Sequence, residues 1–103
     1  MDVLKRIGNA AVVPVVVLDR AEDAVPAARA LLAGGIDVME ITFRTAAGRD
    51  AIAAVARECP EMLVGAGTVL NVAQGREAVE AGAKFIVSPG FSRELIDELS
   101  LIH

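Results

Sequence analysis

The sequence contains no tryptophan and no tyrosine, and aromatic residues make up only 3% of its 103 residues. Proteins that bind nucleic acids usually present a basic surface, and many stack bases on aromatic rings. This chain has a net charge of −4, and its acidic and basic residues are interspersed without a basic stripe. The composition therefore argues against nucleic acid as a partner.

Cysteine, histidine and long apolar runs are also scarce. Cys59 is the only cysteine, so no internal disulfide can form and a reducing cytoplasm is the expected location. His103 is the only histidine, and at the last position a frayed end is a better interpretation than a ligand. Charges or glycines interrupt every apolar run before the roughly 18 residues that a membrane span needs. We therefore expect no membrane partner, and the N-terminus does not have the pattern of a secretory signal.

Alternating hydrophobic patterns are abundant instead, and hydrophobic residues make up 54% of the chain. A short amphipathic helix is predicted over residues 2–9. Apolar or β-branched runs predict four strands, at 11–17, 36–42, 62–68 and 84–88. Helical spacing follows each strand, at 21–33, 46–58, 72–81 and from Ser92 toward Leu101. Asn71 is the predicted cap of the third of these helices, and Pro14 suits an edge strand because proline cannot donate to a ladder.

This β-α alternation with short connections predicts a parallel sheet with right-handed crossovers, either doubly wound or part of a barrel. Polar residues gather at the strand ends, as (β/α)8 barrels require, at Glu40, Thr42, Arg44, Thr68 and Ser88. The segment GAGTVLNV from Gly65 lacks the third glycine of a dinucleotide fingerprint. We therefore predict one α/β domain over 1–103, with a leading helix and four parallel strands that form half of a (β/α)8 barrel.

Glu40 is the residue that this scaffold leaves unexplained, because it stands within the apolar run of the second strand. Burying an ionised carboxylate costs several kcal/mol, so such a residue should be paired, protonated or functional. A structural ion pair with Arg44 or with a neighbouring strand is the alternative to a functional role. Taken alone, Thr68 is more often a helix cap, and residues 88–90 are equally well interpreted as a turn.

Six segments resemble the N-terminal half of the aldolases that cleave 2-keto-3-deoxy-6-phosphogluconate (KDPG), the Entner–Doudoroff enzymes. They are VPV at 13–15, AGGI at 33–36, MEITFRT at 39–45, GAGTVL at 65–70, EAGA at 80–83 and IVSPG at 86–90. The resemblance runs from about Val12 to Leu99. The same motifs serve relatives that act on the galactonate epimer and on 4-hydroxy-2-oxoglutarate (KHG).

The resemblance implies a class I aldolase that forms a lysine Schiff base with pyruvate, uses no metal or other cofactor, and assembles as a trimer of (β/α)8 barrels. The products expected from KDPG are pyruvate and glyceraldehyde 3-phosphate. Glu40 matches the general acid and base of the family. Arg44 and Thr68 match residues that hold the pyruvate carboxylate and keto oxygen, and Pro89 lines the same pocket.

One family feature has no match, because the Schiff-base lysine lies on the sixth strand and this chain ends after the fourth. The two lysines, Lys5 and Lys84, are expected to be surface charges. We therefore expect the chain to be inactive alone, with the nucleophile supplied by a second half. The alternative is a non-catalytic half-barrel. Its open edges predict self-association, either as a dimer of half-barrels or as the family trimer.

Overall fold

A computed structural model shows how the chain folds and describes residues 3–10, 12–43 and 47–88. Four α-helices and three β-strands alternate along these residues. In chain order they are α1 Val3–Asn9, β1 Val15–Val16, α2 Ala24–Ala33, β2 Val38–Thr42, α3 Gly48–Glu58, β3 Leu63–Gly67 and α4 Val72–Ala81. A single turn of 3-10 helix over Ala21–Asp23 leads into α2. No helix in the described ranges is long and apolar enough to cross a membrane.

The three strands form one parallel sheet in the order β1-β2-β3, which confirms the predicted α/β class. Glu40 at the centre of β2 lies opposite Val15 on one side and Gly65 on the other. Thr42 at the end of β2 lies opposite Gly67. The register of the sheet therefore determines which residues of the neighbouring strands lie beside Glu40.

The first strand is shorter than predicted, with two residues instead of seven. Pro14 precedes it and has no N–H to donate, although its carbonyl accepts a hydrogen bond from the Glu40 N–H at 2.9 Å. The position of β1 at the edge of the sheet agrees with the expectation from Pro14.

The prediction of a fourth strand at 84–88 is wrong, because this segment makes only one isolated parallel bridge, between Ala66 and Ile86. Its backbone nevertheless follows β3, with Lys84 N–H donating to the Val64 carbonyl at 2.9 Å and Val87 N–H to the Ala66 carbonyl at 2.8 Å. Two further hydrogen bonds, from the Ala66 N–H to the Phe85 carbonyl at 3.0 Å and from the Val69 N–H to the Val87 carbonyl at 3.2 Å, keep the segment beside β3. The helix predicted from Ser92 lies outside the described residues.

The two faces of the sheet differ in chemistry. Met39 and Ile41 of β2, with Val64 and Ala66 of β3, point to the helices and belong to the main hydrophobic core. The same core contains residues of all three following helices: Ala24, Ala28, Ala51, Ile52, Val55 and Ala78. Successive strand residues alternate between faces, so Glu40 and Thr42 lie on the opposite face, away from the helices.

The first helix lies at the other end of the strands from Thr42. The Arg6 guanidinium donates to the carbonyl of Asp37 at 3.2 Å and to the carbonyl of Glu61 at 3.0 Å. These carbonyls lie one residue before β2 and two residues before β3. The C-terminal ends of the strands, where barrel enzymes place their sites, are thus left to Thr42, Gly67 and Thr68.

The predicted cap and stop of α4 are confirmed. The Asn71 side chain accepts a hydrogen bond from the Gln74 N–H at 2.9 Å, and Gly82 ends the helix with a φ of 115°. These local signals thus set both ends of α4.

Candidate functional site

Glu40 occupies the middle of β2 and is half-buried, while its neighbours Met39 and Ile41 are completely buried on the helix side. Its side chain extends toward the C-terminal end of the sheet and lies over Gly67. A Cβ atom added at Gly67 would come within 2.7 Å of the Glu40 Cδ and 2.9 Å of its Cγ. Van der Waals contacts between carbon atoms are about 3.5–4.0 Å. The missing side chain of Gly67 therefore provides the space in which the carboxyl group lies.

The electrostatic surroundings of Glu40 favour its neutral form. Burial raises the pKa of its carboxyl group above the ordinary value of 4.5. The residues beside it across the two ladders, Val15 and Gly65, carry no charge. Within the described part of the chain, no hydrogen bond or ion pair reaches the carboxylate. A carboxyl group in such a place can both give and take a proton closer to neutral pH.

Thr42 is a further candidate for this site. Its place at a strand end is visible in the sequence, but it was not among the predicted catalytic or substrate-binding residues. It lies on the same face as Glu40, two residues further along β2, and only 1% of it is exposed. Its Oγ1 is buried and has no hydrogen-bond partner among the described residues. An unpaired buried hydroxyl is unusual in folded proteins. Side chains alternate between the two faces along a strand, so residues 40 and 42 share a face, and this signal could have identified Thr42.

Thr68 follows Gly67 directly and is half-buried. Its φ of 56° is in the left-handed region, which a β-branched residue rarely adopts. Thr68 does not cap α4, because Asn71 occupies that position. Backbone strain of this kind is concentrated at binding and active sites, so Thr68 remains a candidate for substrate contact.

Arg44 and Pro89 lie outside the described residues, so an ion pair between Glu40 and Arg44 stays a prediction. Ser88 is described and half-buried. In the described ranges, no group of three or more His, Cys, Asp or Glu side chains could hold a metal ion.

Both lysines are exposed, and neither shares the surroundings of Glu40. Lys5 lies in α1, at the N-terminal end of the sheet. Lys84 pairs through its backbone with Val64 and has the same strand parity as Ile86, which packs on the helix side. The sheet therefore separates the Lys84 side chain from the face that carries Glu40.

A shallow cavity of about 430 Å³ lies at the opposite end of the sheet from Thr42, beside Arg6, Asn9 and Asp37. The Arg6 guanidinium there already donates to two backbone carbonyls and contacts the Asp37 carboxylate at 3.4 Å. This cavity offers no group arranged for acid–base chemistry, in contrast to the surface around Glu40.

Comparisons with known proteins agree with the resemblance. The profile of the family described as KDPG and KHG aldolase matches residues 3–102. The 2-dehydro-3-deoxy-phosphogluconate aldolase of Treponema pallidum (strain Nichols) is 58% identical over 85 residues, which cover 82% of this chain and 40% of the relative. The chain thus spans about 40% of the length of the curated relatives that it matches.

Solved structures show the same similarity. A KDPG aldolase from Legionella pneumophila, with pyruvate captured at low pH as a covalent carbinolamine intermediate, is 43% identical with a TM-score of 0.85 over 90% of this chain and 45% of that one. The 2-keto-3-deoxy-6-phosphogluconate aldolase of Zymomonas mobilis ATCC 29191 is 42% identical with a TM-score of 0.88 over 98% of this chain and 48% of that one.

Proposed function

Because the chain belongs to the KDPG and KHG aldolase family, we propose that it supplies the proton-transferring carboxyl group, Glu40, of a cytoplasmic class I aldolase. The proposed reaction cleaves 2-dehydro-3-deoxy-6-phosphogluconate to pyruvate and glyceraldehyde 3-phosphate. The observation that carries this proposal is the half-buried Glu40 carboxyl over Gly67, with a pKa raised by burial and no charged neighbour across either ladder. A purely structural carboxylate would be expected to have a partner.

The chemistry needs one group that alternates between acid and base. When a lysine amine adds to the keto carbon, protonated Glu40 gives a proton to the departing hydroxyl, and water leaves as the Schiff base forms. In the cleavage direction the Glu40 carboxylate accepts the proton of the C4 hydroxyl while the C3–C4 bond breaks. The proton then returns to C3 of the enamine, and water adds to the resulting Schiff base to release pyruvate and the free lysine amine. The Legionella relative was captured with pyruvate as a covalent carbinolamine, the adduct that an amine forms with a keto carbon before water leaves, and this supports the proposed reaction class.

Three further residues are proposed to hold the substrate. The Arg44 guanidinium offers two parallel N–H donors to the pyruvate carboxylate. The Thr68 hydroxyl, presented by its left-handed backbone just beyond Gly67, is proposed to contact the same part of the substrate. Pro89 is proposed to line the pocket as an apolar wall.

The Schiff-base amine is proposed to come from neither lysine of this chain. A class I nucleophile must be accessible as the neutral amine, which usually requires desolvation. Lys5 and Lys84 are exposed, and Lys84 is on the wrong face of the sheet. We propose instead that β1, β2 and β3 are part of a (β/α)8 barrel whose other strands carry the lysine. The sequential parallel order of the strands and the helices on one face support this.

Trapping with pyruvate and borohydride tests the proposal. We compare the 103-residue chain with a chimera of the Treponema relative whose matching 85-residue segment is replaced by that of this chain. Mass spectrometry is expected to show no adduct on Lys5 or Lys84 of the chain alone. In the chimera it should show a stoichiometric adduct on a lysine from the relative's own segment, together with aldol cleavage.

A stoichiometric adduct on Lys84 would contradict the assignment of the nucleophile. A folded chimera with neither adduct nor cleavage would support the second candidate, a non-catalytic half-barrel. The intact Treponema relative, treated in parallel, shows that the trapping conditions are adequate.

The exposed apolar side chains favour association in either case. Val12, Val15 and Val17 are between 52% and 59% exposed, and β1 is an edge strand of only two residues. Contiguous exposed apolar residues are typical of interaction sites. We propose that the chain forms a homo-oligomer through this edge, and that the partner is a second copy of the same chain.

Sedimentation velocity at micromolar concentration checks this proposal. The wild-type chain is expected to sediment as a dimer or trimer, and Val17→Lys should shift it toward monomer. Leu4→Lys is the matched control, because Leu4 is 83% exposed but lies in α1. A compact wild-type monomer would refute the proposed association.

A further inference from the structure

We propose that Thr42 is a positioning residue for Glu40. In this inference, the Thr42 hydroxyl donates a hydrogen bond to the ionised Glu40 carboxylate and holds it over Gly67. It rests on the proposed acid–base role of Glu40 and adds a residue to that site. Thr42 itself need not touch the substrate.

The register of the sheet places the two side chains together. Thr42 is the direct partner of Gly67, and neighbouring strands lie about 4.8 Å apart. Glu40 points along the same face, and its Cδ and Cγ lie above Gly67. The carboxyl group therefore lies beside Thr42, one strand spacing to the side. A rotation about the Thr42 χ1 angle is enough to turn its hydroxyl toward that position.

The burial of Thr42 gives the second observation. Its Oγ1 is fully buried and has no partner among the described residues, although a buried hydroxyl without a hydrogen bond is destabilising. Valine would fill the same volume without this penalty. A hydroxyl at a buried position beside an unpaired carboxyl group is explained if the two groups pair during function. Neither group has another partner in the described part of the chain.

No other charged group among the described residues competes for this role. The residues next to Glu40 on its face are Val15 from β1 and Gly65 from β3, and the segment after Gly82 places the Phe85 ring over Gly65. None of these is charged or can donate a hydrogen bond from its side chain. Thr42 is thus the side-chain donor that the sheet presents to the carboxylate within these elements.

The titration of Glu40 tests the inference without requiring catalysis. In the full 103-residue chain, with glutamate labelled with carbon-13 at Cδ, the Glu40 carboxyl signal is followed by NMR as the pH is raised. A hydrogen bond from Thr42 favours the ionised form, so Thr42→Val should raise the pKa of Glu40. The acid dissociation constant of Glu40 is expected to fall about tenfold. Thr42→Ser keeps the hydroxyl and should titrate like the wild type.

Equal titration curves for the wild type and Thr42→Val would overturn the inference. A merely structural role would change the melting temperature of Thr42→Val and leave the Glu40 titration unchanged. If Thr42→Val does not fold, Thr42→Ala and Thr42→Ser provide the same comparison with and without the hydroxyl. The proposed function is judged separately, by the activity of a Glu40 variant, so either idea can fail while the other survives.

Discussion

Replacing Glu40 with glutamine is expected to lower kcat of the chimera by about 10²- to 10⁴-fold, the usual contribution of a general acid–base group. Glutamine has nearly the same size and can still lie over Gly67, but it cannot exchange a proton. Since binding contacts are largely kept, KM for 2-dehydro-3-deoxy-6-phosphogluconate should change much less than kcat. Steady-state cleavage kinetics measure both values.

Asp37→Asn is the matched control for this substitution. Asp37 is an exposed acidic residue just before the same strand, and the change removes one negative charge in each case. It faces away from Glu40 and contacts Arg6 at 3.4 Å on the surface, where an ion pair contributes little. A Glu40→Gln variant that retains the kcat of the Asp37→Asn variant would refute the acid–base role.

The same glutamine variant should change how stability depends on pH. Burial raises the folded-state pKa of Glu40 above the ordinary 4.5 that applies when the chain is unfolded. Because the folded-state pKa is raised, protonated Glu40 favours the folded chain. This contribution to stability is fully present below the unfolded pKa and is lost as the pH rises through the folded pKa. Glu40→Gln should therefore melt above the wild type near pH 7, and the difference should vanish at about pH 4. An equal difference at both pH values would contradict burial as the cause.

Replacing Gly67 with alanine is the second large effect that we expect. The new Cβ would occupy the space of the Glu40 carboxyl group and displace it, and a misplacement of about 1 Å can cost about 10²-fold in rate. Gly67 has no positive φ, so alanine brings no backbone strain. The displaced group is the end of a flexible side chain. Chemical unfolding should therefore show a small loss of stability beside a large loss of kcat.

Gly65→Ala separates this effect from a general disturbance of the strand. Gly65 lies on the same face of β3, but there an added Cβ meets the Phe85 ring instead of the Glu40 carboxyl. The ring must move, so we expect Gly65→Ala to lose more stability and less activity than Gly67→Ala. The double variant Glu40→Gln with Gly67→Ala should be no slower than Glu40→Gln alone, because both changes remove the same function. Additive losses would show that Gly67 acts through something other than Glu40.

A conflict between stability and activity runs through these expectations. Among the described residues, an ionised carboxyl without a partner, a buried hydroxyl without a partner and a threonine with a positive φ are each destabilising. Thr42 ends β2 and Thr68 follows the end of β3, and the Glu40 carboxyl group extends over Gly67 toward the same end. The helix face of the same strands carries only packed apolar residues, which shows that the sheet itself does not require such groups. Their concentration at one end of one face supports a functional explanation.

Local patterns in the sequence predicted most of the elements correctly. Helical spacing gave α4 with its Asn71 cap and Gly82 stop, because these signals act within one or two turns of the chain. The apolar run around Glu40 gave β2, and Pro14 indicated an edge strand. Such features depend on neighbouring residues and on backbone geometry, both of which can be read along the chain.

The extent of strand pairing could not be read in the same way. The sequence at 84–88 has the composition of a strand, yet it makes only one bridge with β3, although backbone hydrogen bonds join the two segments. Pairing is a non-local property, since the partner and its length are set by a different part of the chain.

The site around Glu40 also depends partly on local sequence and partly on non-local pairing. Its place in an apolar strand was enough to mark it as exceptional, and the alternation of β2 put it on one face with Thr42. The register between β2 and β3 then set Gly67 beneath the carboxyl group and beside Thr42. Neither contact is visible in the sequence, because a shift of one residue in the register would turn these side chains away from each other. The sequence determines which chemical groups are present, and the pairing of separate strands brings them close together.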